Sequence, residues 1–133
     1  MVDALEEARR ILVPRGLFVD ARPDSRVLAR VRARSARGKV LGTITSQRAT
    51  MGDDRASDRA IANVLARRLF RSRRRGRFWH AIPFEGLSEL QSYLEDHLRF
   101  SHRVRWRVPR SRRDGPLFVD RAVRFEVLEK VTH

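Results

Sequence analysis

Arginine is the residue type with the clearest chemical potential in this sequence. The chain of 133 residues has 30 lysines and arginines against 16 acidic residues, which gives a formal charge of +14. Only Lys39 and Lys130 are lysines, and most of the positive charge lies in residues 22–48, 67–77 and 99–113. Guanidinium groups present a planar fork of donors that binds phosphates, so acid-poor arginine stretches favour a polyanionic partner. The candidate contacts are Arg71, Arg73, Arg74, Arg75, Arg77, Arg103, Arg105, Arg107, Arg112 and Arg113.

Aromatic residues accompany these stretches. Trp79 is suited to stacking on an unpaired base, and His80 to accepting a proton from an acceptor molecule. A plainer interpretation also fits the sequence: residues 71–77 form a solvated linker, and Phe78 and Trp79 pack in the core. His80 is then a structural histidine. Trp106 alternates with the arginines of its own segment, which predicts that it points into the core.

Several other kinds of chemistry have no support in the sequence. The chain has no cysteine, which excludes disulfides, zinc–thiolate sites, iron–sulfur clusters and thiol nucleophiles. Its four histidines never stand in an HxH or HExxH spacing, so a helical zinc site is not indicated. The carboxylates near Glu85 and Glu89 fall on or beside a predicted helix, where exposed acids are ordinary. An enzyme complete in itself is therefore not indicated.

Hydrophobic spacing predicts the elements of the first part of the chain. Apolar residues at intervals of three and four indicate a helix over residues 3–12. A Pro-x-Gly turn at residues 14–16 then leads into a short apolar run, residues 17–21, of the kind that forms a buried strand. Small apolar residues alternate with arginines over residues 27–34, and a second alternating run, residues 39–45, follows the turn-forming residues 35–38. Together they predict a hairpin with a basic outer face.

The second part of the chain shows the same two periodicities. We expect a helix over residues 53–70, a strand over 78–84, and a further helix that Ser88 and Gln91 begin as a capping box. Residues 103–128 are typical of an antiparallel hairpin with a long second strand. The inner side of the last helix is predicted to consist of Leu90, Tyr93, Leu94, His97 and Leu98.

These elements predict a single domain, residues 1–133, of the α+β class. Its sheet is expected to be mixed but mostly antiparallel, with two to three helices. No apolar run approaches the length of a membrane span, and the opening MVDALEEARR lacks the basic-then-apolar layout of a signal peptide. We therefore expect a cytoplasmic protein without a membrane partner.

The opening segment resembles a known family. Residues 4–20, ALEEARRILVPRGLFVD, are similar to a stretch of the class I S-adenosylmethionine-dependent methyltransferases. In that family a helix leads through a Pro-x-Gly turn into the fifth strand of the sheet. Leu12, Pro14 and Gly16 match the pattern, whereas Arg15 replaces the usual first glycine of a pair. The resemblance implies the second half of a Rossmann-like fold, in which the later segments face the substrate and the hairpin at 103–128 closes the sheet. It thereby makes Trp79 and His80 candidate substrate-side residues.

The same resemblance has consequences for activity. The family binds its cofactor with a glycine-rich turn between a strand and a helix, whereas the seven glycines here are scattered along the chain. The chain is therefore expected to bind no cofactor alone and to lack catalytic competence by itself. Its uncovered strand edge and apolar face would then be covered in a homodimer, a swapped assembly or a complex with a companion chain.

A different class of protein also fits the sequence. In this alternative the chain is a small arginine-rich nucleic-acid-binding protein, and the basic rows at 30–39, 71–77 and 103–113 converge on one surface. An inactive remnant of an enzyme is a third interpretation. The sequence does not distinguish it from the methyltransferase-like protein.

Overall fold

The computed structural model describes residues 2–35, 38–45, 49–97 and 103–133. Within these residues the strands form an antiparallel sheet in the order β1-β6-β2-β3-β5, and β4 also pairs with β6. The predicted α+β class with three helices is confirmed. The elements are α1 (Val2–Ile11), β1 (Leu17–Pro23), β2 (Ala29–Ala33), β3 (Val40–Thr45), α2 (Ala49–Ala66), β4 (Phe70–Phe84), α3 (Leu87–His97), β5 (Arg103–Trp106), a 3-10 helix (Arg110–Arg112) and β6 (Leu117–Lys130).

The chain divides into two compact units, each with its own core. The first unit consists of Met1–Pro23, Ala49–Arg77 and Val123–His133. Its helices α1 and α2 pack on one side of the strands, because each presents an apolar stripe at helical spacing. Burying one such leucine removes enough apolar surface from water to contribute about 2 kcal/mol. The buried side chains are Leu5, Ala60, Ile61, Val64, Phe70 and Leu128.

The end of α2 lies earlier than the sequence indicates. The apolar stripe predicted for residues 53–70 is confirmed, but the helix ends at Ala66. Arg68 adopts the left-handed conformation with φ 55°, and the Leu69 N–H bonds to the Val64 carbonyl at 3.0 Å. This arrangement is typical of a helix terminus. The chain can therefore enter β4 at Phe70.

The basic segment after α2 is a strand and not a linker. β4 runs without a break from Phe70 to Phe84, whereas the sequence predicts a strand only from Phe78. The prediction is wrong because a run of arginines has low hydrophobicity and no apolar alternation. These residues belong to β4 because β6 offers a long partner strand, a tertiary effect that local propensity does not register.

The second unit consists of Asp24–Arg48 and Phe78–Ala122. The predicted hairpin of β2 and β3 is confirmed: Arg30 lies opposite Thr43, and the register shifts at a bulge between Val31 and Arg32. Residues 36 and 37 of its turn lie outside the described residues. Helix α3 packs on one face of this sheet. The core side chains are Val31, Leu41, Ile44, Phe84, Leu90, Leu94, Val108, Leu117 and Val119.

The start of α3 differs in detail from the predicted capping box. The helix begins at Leu87, and the Glu89 carboxylate accepts a hydrogen bond from the Glu85 N–H at 2.6 Å. A carboxylate in this position also complements the positive end of the helix dipole. Leu90 and Leu94 are buried as predicted. The predicted inner positions His97 and Leu98 lie outside the described side chains.

The hairpin predicted for residues 103–128 does not form. Its two strands exist as β5 and β6, but β5 pairs with β3, and β2 and β3 lie between β5 and β6 in the sheet. The connection between them carries the 3-10 helix Arg110–Arg112 and is long enough to reach past two strands. Sequence alternation identifies a strand but not its neighbour, because pairing is decided by contacts distant in the chain.

Candidate functional site

The arginine row of β4 in the first unit binds acidic side chains of the same chain. Glu129 on β6 is nearly buried, and it accepts a hydrogen bond from Arg71 at 2.7 Å. Arg73 lies 3.2 Å and Arg15 3.4 Å from the same carboxylate. Arg75 reaches Glu126 at 3.4 Å. Part of the row predicted to bind an external polyanion therefore neutralises internal carboxylates.

The charge state of Glu129 follows from these contacts. The hydrogen bond from Arg71 lowers the pKa of Glu129, burial opposes it, and the charges of Arg71 and Arg73 lower it further. The carboxylate therefore stays ionised at neutral pH, and it orients the guanidinium groups around it. Arg74 and Arg77, the other two residues of the predicted row, are exposed.

One face of the first unit's sheet exposes apolar side chains of β1, which corrects the prediction of a buried strand at residues 17–21. Phe18 and Leu128 lie opposite each other and pack with the two helices. Their neighbours alternate onto the other face, where Leu17 and Val19 are each 57% exposed. We name this surface the open face and define it by the register of β1 and β6: Leu17, Val19, Ala21, Val123, Phe125, Val127 and Glu129.

The end of α1 and the turn before β1 also expose apolar side chains. Ile11 at the end of α1 and Val13 in the following turn are exposed large hydrophobic residues. β1 also ends the order of paired strands, so one of its edges has no strand partner within the described residues. A soluble monomer rarely combines an unpaired strand edge with exposed apolar side chains, because both promote association.

The second unit carries a basic sheet face on the side opposite α3. Arg30 lies directly opposite Asp120 on β6 and Thr43 on β3, and Thr43 lies opposite Arg105 on β5. Residues that lie directly opposite each other share a face, so these side chains form one row across four strands. We name this surface the basic face and define it by the register and the ring contacts: Arg30, Arg32, Thr43, Thr45, Trp79, Arg103, Arg105, Phe118 and Asp120.

Asp120 organises the arginines of β2 on this face. Its side chain is buried, and it accepts hydrogen bonds from Arg30 Nε at 2.9 Å and from Arg32 Nε and Nη2 at 2.8 and 3.1 Å. Burial favours a higher pKa, but the hydrogen bonds from Arg32 and Arg30 outweigh it, so the pKa of Asp120 is lowered. One negative charge thus holds two guanidinium groups, and the cluster keeps a positive charge.

Aromatic rings on the basic face lie against guanidinium groups. The Arg30 guanidinium carbon lies 4.2 Å from the centre of the Trp79 ring. Phe118 lies in the same way near Arg32, at 4.7 Å, and Arg34, at 5.2 Å. A guanidinium group in such a contact stacks on the face of the aromatic ring. Other planar groups, such as nucleobases, can stack on the same surfaces.

The aromatic segment of β4 is exposed. Phe78 and Trp79 are 48% and 42% exposed, so the interpretation that places them in the core is wrong. His80 is exposed as well. The side chains of Trp79 and His80, which the sequence identifies as substrate-side candidates, are thus accessible to a ligand.

The remaining candidate arginines lie on β5 and in the loop after it. Arg103, Arg105 and Arg107 are exposed, and Arg103 and Arg105 belong to the basic face. Trp106 packs against the core as predicted. The Arg113 guanidinium carbon lies 4.7 Å from the centre of the Trp106 ring, and Arg113 Nε donates a hydrogen bond to the Val108 carbonyl at 3.3 Å. Arg113 therefore stabilises the fold. Arg112 is exposed on the 3-10 helix.

Phe118 and Asp120 of the basic face were not predicted from the sequence. Both lie on one side of β6 and alternate with Leu117 and Val119, which point into the core on the other side. The alternation of these four residues carries the signal, since it separates a core side from a side that faces the arginines of β2. Identifying Asp120 as the partner of Arg30 and Arg32 requires the strand order, which a single sequence does not provide.

Other kinds of site have no counterpart in the part of the chain that the structure describes. No cluster of three or more His, Asp or Glu side chains there could hold a metal ion. None of the helices there is long and apolar enough to cross a membrane. A scan of family models and searches of curated proteins and solved structures found no match to the chain.

Proposed function

We propose that this chain is a methyltransferase-like protein that corresponds to the substrate-side, C-terminal half of an S-adenosylmethionine-dependent methyltransferase. It is not catalytically competent alone, and it acts in the cytoplasm as part of an assembly. The observation that carries this proposal is the open face, because helices cover one side of the first unit's strands while the other side exposes Leu17 and Val19. A Rossmann-like sheet has helices on both faces, so the open face is where a layer would be added.

The turn before β1 supports the resemblance. The Gly16 N–H bonds to the Val13 carbonyl at 2.8 Å, which closes a tight turn between α1 and β1. Arg15 has φ 61°, in the left-handed region that favours glycine. The family has a glycine at this position. The backbone here thus has the conformation that the family pattern requires, although the side chain differs.

The strands of the first unit also support the resemblance. β1, which follows the turn, pairs antiparallel with the long strand β6, and β4 pairs with β6 as well. An antiparallel strand pair beside the strand that follows the Pro-x-Gly turn is what the resemblance implies for the closing part of the sheet. In this proposal β4 and β6 take that role, in place of the hairpin expected at residues 103–128.

The assembly follows from the same surface. A second copy of the chain is the proposed occupant, because an edge strand with exposed apolar residues is complementary to itself around a two-fold axis. The cofactor-binding part is not expected from this chain, since its glycines are scattered. Trp79 and His80 are exposed on β4, and in this proposal they face the acceptor substrate.

Sedimentation velocity combined with calorimetry tests both parts of the proposal. We expect a species heavier than the 15.5 kDa monomer and no heat of binding with S-adenosylmethionine. Val19→Lys should shift the protein toward monomer, because a charge on an edge strand opposes pairing. Leu28→Lys is the matched control: it places the same charge on an exposed leucine of the second unit and should leave the sedimentation unchanged.

Two results would contradict the proposal. A wild-type chain that stays monomeric at all concentrations would contradict the self-association. Binding of S-adenosylmethionine by the isolated chain would contradict the claim that it lacks the cofactor-binding half.

A further inference from the structure

We propose that the basic face of the second unit binds single-stranded nucleic acid. This inference rests on the geometry of that sheet and is independent of the proposed methyltransferase-like function. The first support is charge. β2, β3 and β5 read ARVRA, VLGTIT and RVRW, with four arginines and no acidic residue. Asp120 on β6 offsets one of these charges, so the face keeps a positive charge that attracts phosphates.

The arginines of this face are held in place before any ligand arrives. The Asp120 carboxylate accepts one hydrogen bond from Arg30 Nε and two from Arg32. A guanidinium group has five N–H donors, so each arginine retains donors beyond those given to Asp120. Because the two side chains are already ordered, binding a phosphate costs them little further entropy. Arg103 and Arg105 are exposed on β5, two strands from Arg30, and extend the row.

The aromatic residues favour a single strand over a duplex. Unpaired bases stack on aromatic rings and on guanidinium planes, whereas a duplex hides the faces of its bases. Trp79 is exposed beside Arg30 and offers such a surface, and Phe118 lies near Arg32 and Arg34. Duplex readers insert a helix or a ribbon into a groove, whereas the basic face is a broad sheet surface of four strands.

Only some of the residues predicted from the sequence lie on the basic face. Trp79, Arg103 and Arg105 belong to the binding face, together with Arg30 and Arg32. Arg71, Arg73 and Arg75 bind Glu129 or Glu126 in the first unit, and Arg113 covers Trp106, so these arginines stabilise the fold.

The experiment measures binding of a fluorescent oligothymidylate of about 15 nucleotides by anisotropy, between about 50 and 200 mM salt. The test variant is Arg103→Ala/Arg105→Ala. The matched control is Arg55→Ala/Arg59→Ala, which removes the same charge from exposed positions of α2 in the first unit. We expect the test variant to bind at least about tenfold more weakly than wild type. The slope of log affinity against log salt concentration should become less steep by about 1.4, which corresponds to two phosphate contacts of about 0.7 each. The control variant should bind within about twofold of wild type.

A second variant separates stacking from charge. Trp79→Ala leaves the net charge unchanged and removes a side chain that is 42% exposed. We expect a loss of about 5-fold to 150-fold in affinity for oligothymidylate, with an unchanged salt slope, as for removal of one stacked base. A duplex of the same length should bind more weakly than the single strand.

The results that would overturn the inference are equally definite. Equal losses in the test and control variants would mean that only total charge matters. Undetectable binding by the wild-type chain, tighter binding of the duplex, or full affinity of Trp79→Ala would each overturn it too. A monomeric chain, or one that binds S-adenosylmethionine, would contradict the methyltransferase-like proposal and leave this inference standing.

Discussion

Two buried carboxylates explain what many of the arginines do. Asp120 holds Arg30 and Arg32 in the second unit, and Glu129 holds Arg71 and Arg73 in the first. Each carboxylate is almost inaccessible to water, so each needs positive partners to remain charged. The arginines that the sequence marks as ligand contacts therefore divide into those that stabilise the fold and those, such as Arg103 and Arg105, that remain exposed.

We expect Asp120→Asn to destabilise the protein by about 2 kcal/mol, because it removes the charge that accepts hydrogen bonds from two half-buried arginines. Urea unfolding followed by circular dichroism measures the loss. Asp114→Asn, at an exposed turn, is the control and should change the unfolding midpoint little. An unchanged midpoint for Asp120→Asn would show that the cluster does not stabilise the fold.

Arg15 offers a test of the turn that carries the resemblance. Its left-handed backbone costs a non-glycine residue about 1 kcal/mol, net of the greater freedom that glycine loses on folding. Arg15→Gly should therefore be more stable than Arg15→Ala by about this amount, since both variants lose the weak contact with Glu129. Thermal unfolding of the pair gives the difference. If the alanine variant were equally stable, the backbone at this turn would not require glycine.

Most of the helices and strands could be predicted from the sequence. Periodicity identified α1, α2, the β2–β3 hairpin, α3 and the long strand β6. It failed for the first half of β4, whose arginines have no apolar alternation, and for the pairing of β5, whose partner is β3. It also failed for the burial of β1, since an apolar run does not show whether both faces of its strand are covered. The candidate site was found in part: Trp79, Arg103 and Arg105 were identified, whereas Asp120 required the strand order.

The attachment of β5 depends on a glycine in β3. A Cβ atom at Gly42 would lie 2.7 Å from the Arg105 carbonyl and 3.2 Å from Trp106 Cα, and backbone atoms cannot move aside cheaply. Gly42→Ala should therefore cost roughly 1–3 kcal/mol and speed amide exchange in β5. Gly86→Ala is the control, because a Cβ atom at that position, just before α3, would meet nothing within 4 Å. Unchanged exchange in β5 would contradict this close approach.

Only part of the protein's positive charge is available to an external ligand. A formal charge of +14 suggests a general attraction to polyanions, but arginines in both units are paired with acidic side chains. What remains for a ligand is the local arrangement on the basic face. The open face of the first unit instead exposes the apolar side chains of Leu17 and Val19, so the two surfaces are suited to different kinds of partner.

The ion pairs also predict how stability depends on pH. In the first unit Asp58 forms ion pairs with Arg22 and Arg124. The pKa values of Asp58, Asp120 and Glu129 are lowered in the folded protein, from ordinary values of 3.8 for Asp and 4.5 for Glu. Their contribution is therefore fully present above the unfolded values and is lost as the pH falls through the folded values. We expect the urea midpoint to be similar at pH 7 and pH 6 and to fall steeply below about pH 4. Asp120→Asn should show a smaller fall, and an equal fall would contradict the assignment.

The absence of cysteine from the sequence makes the open face directly accessible to measurement. Val19→Cys and Leu28→Cys each introduce one thiol at an exposed position, the first on the open face and the second in the other unit. The rate of modification by a thiol reagent is followed as the protein concentration rises. If the open face is an assembly surface, the rate at Val19→Cys falls with concentration while the rate at Leu28→Cys stays constant. Rates independent of concentration at both positions would contradict it.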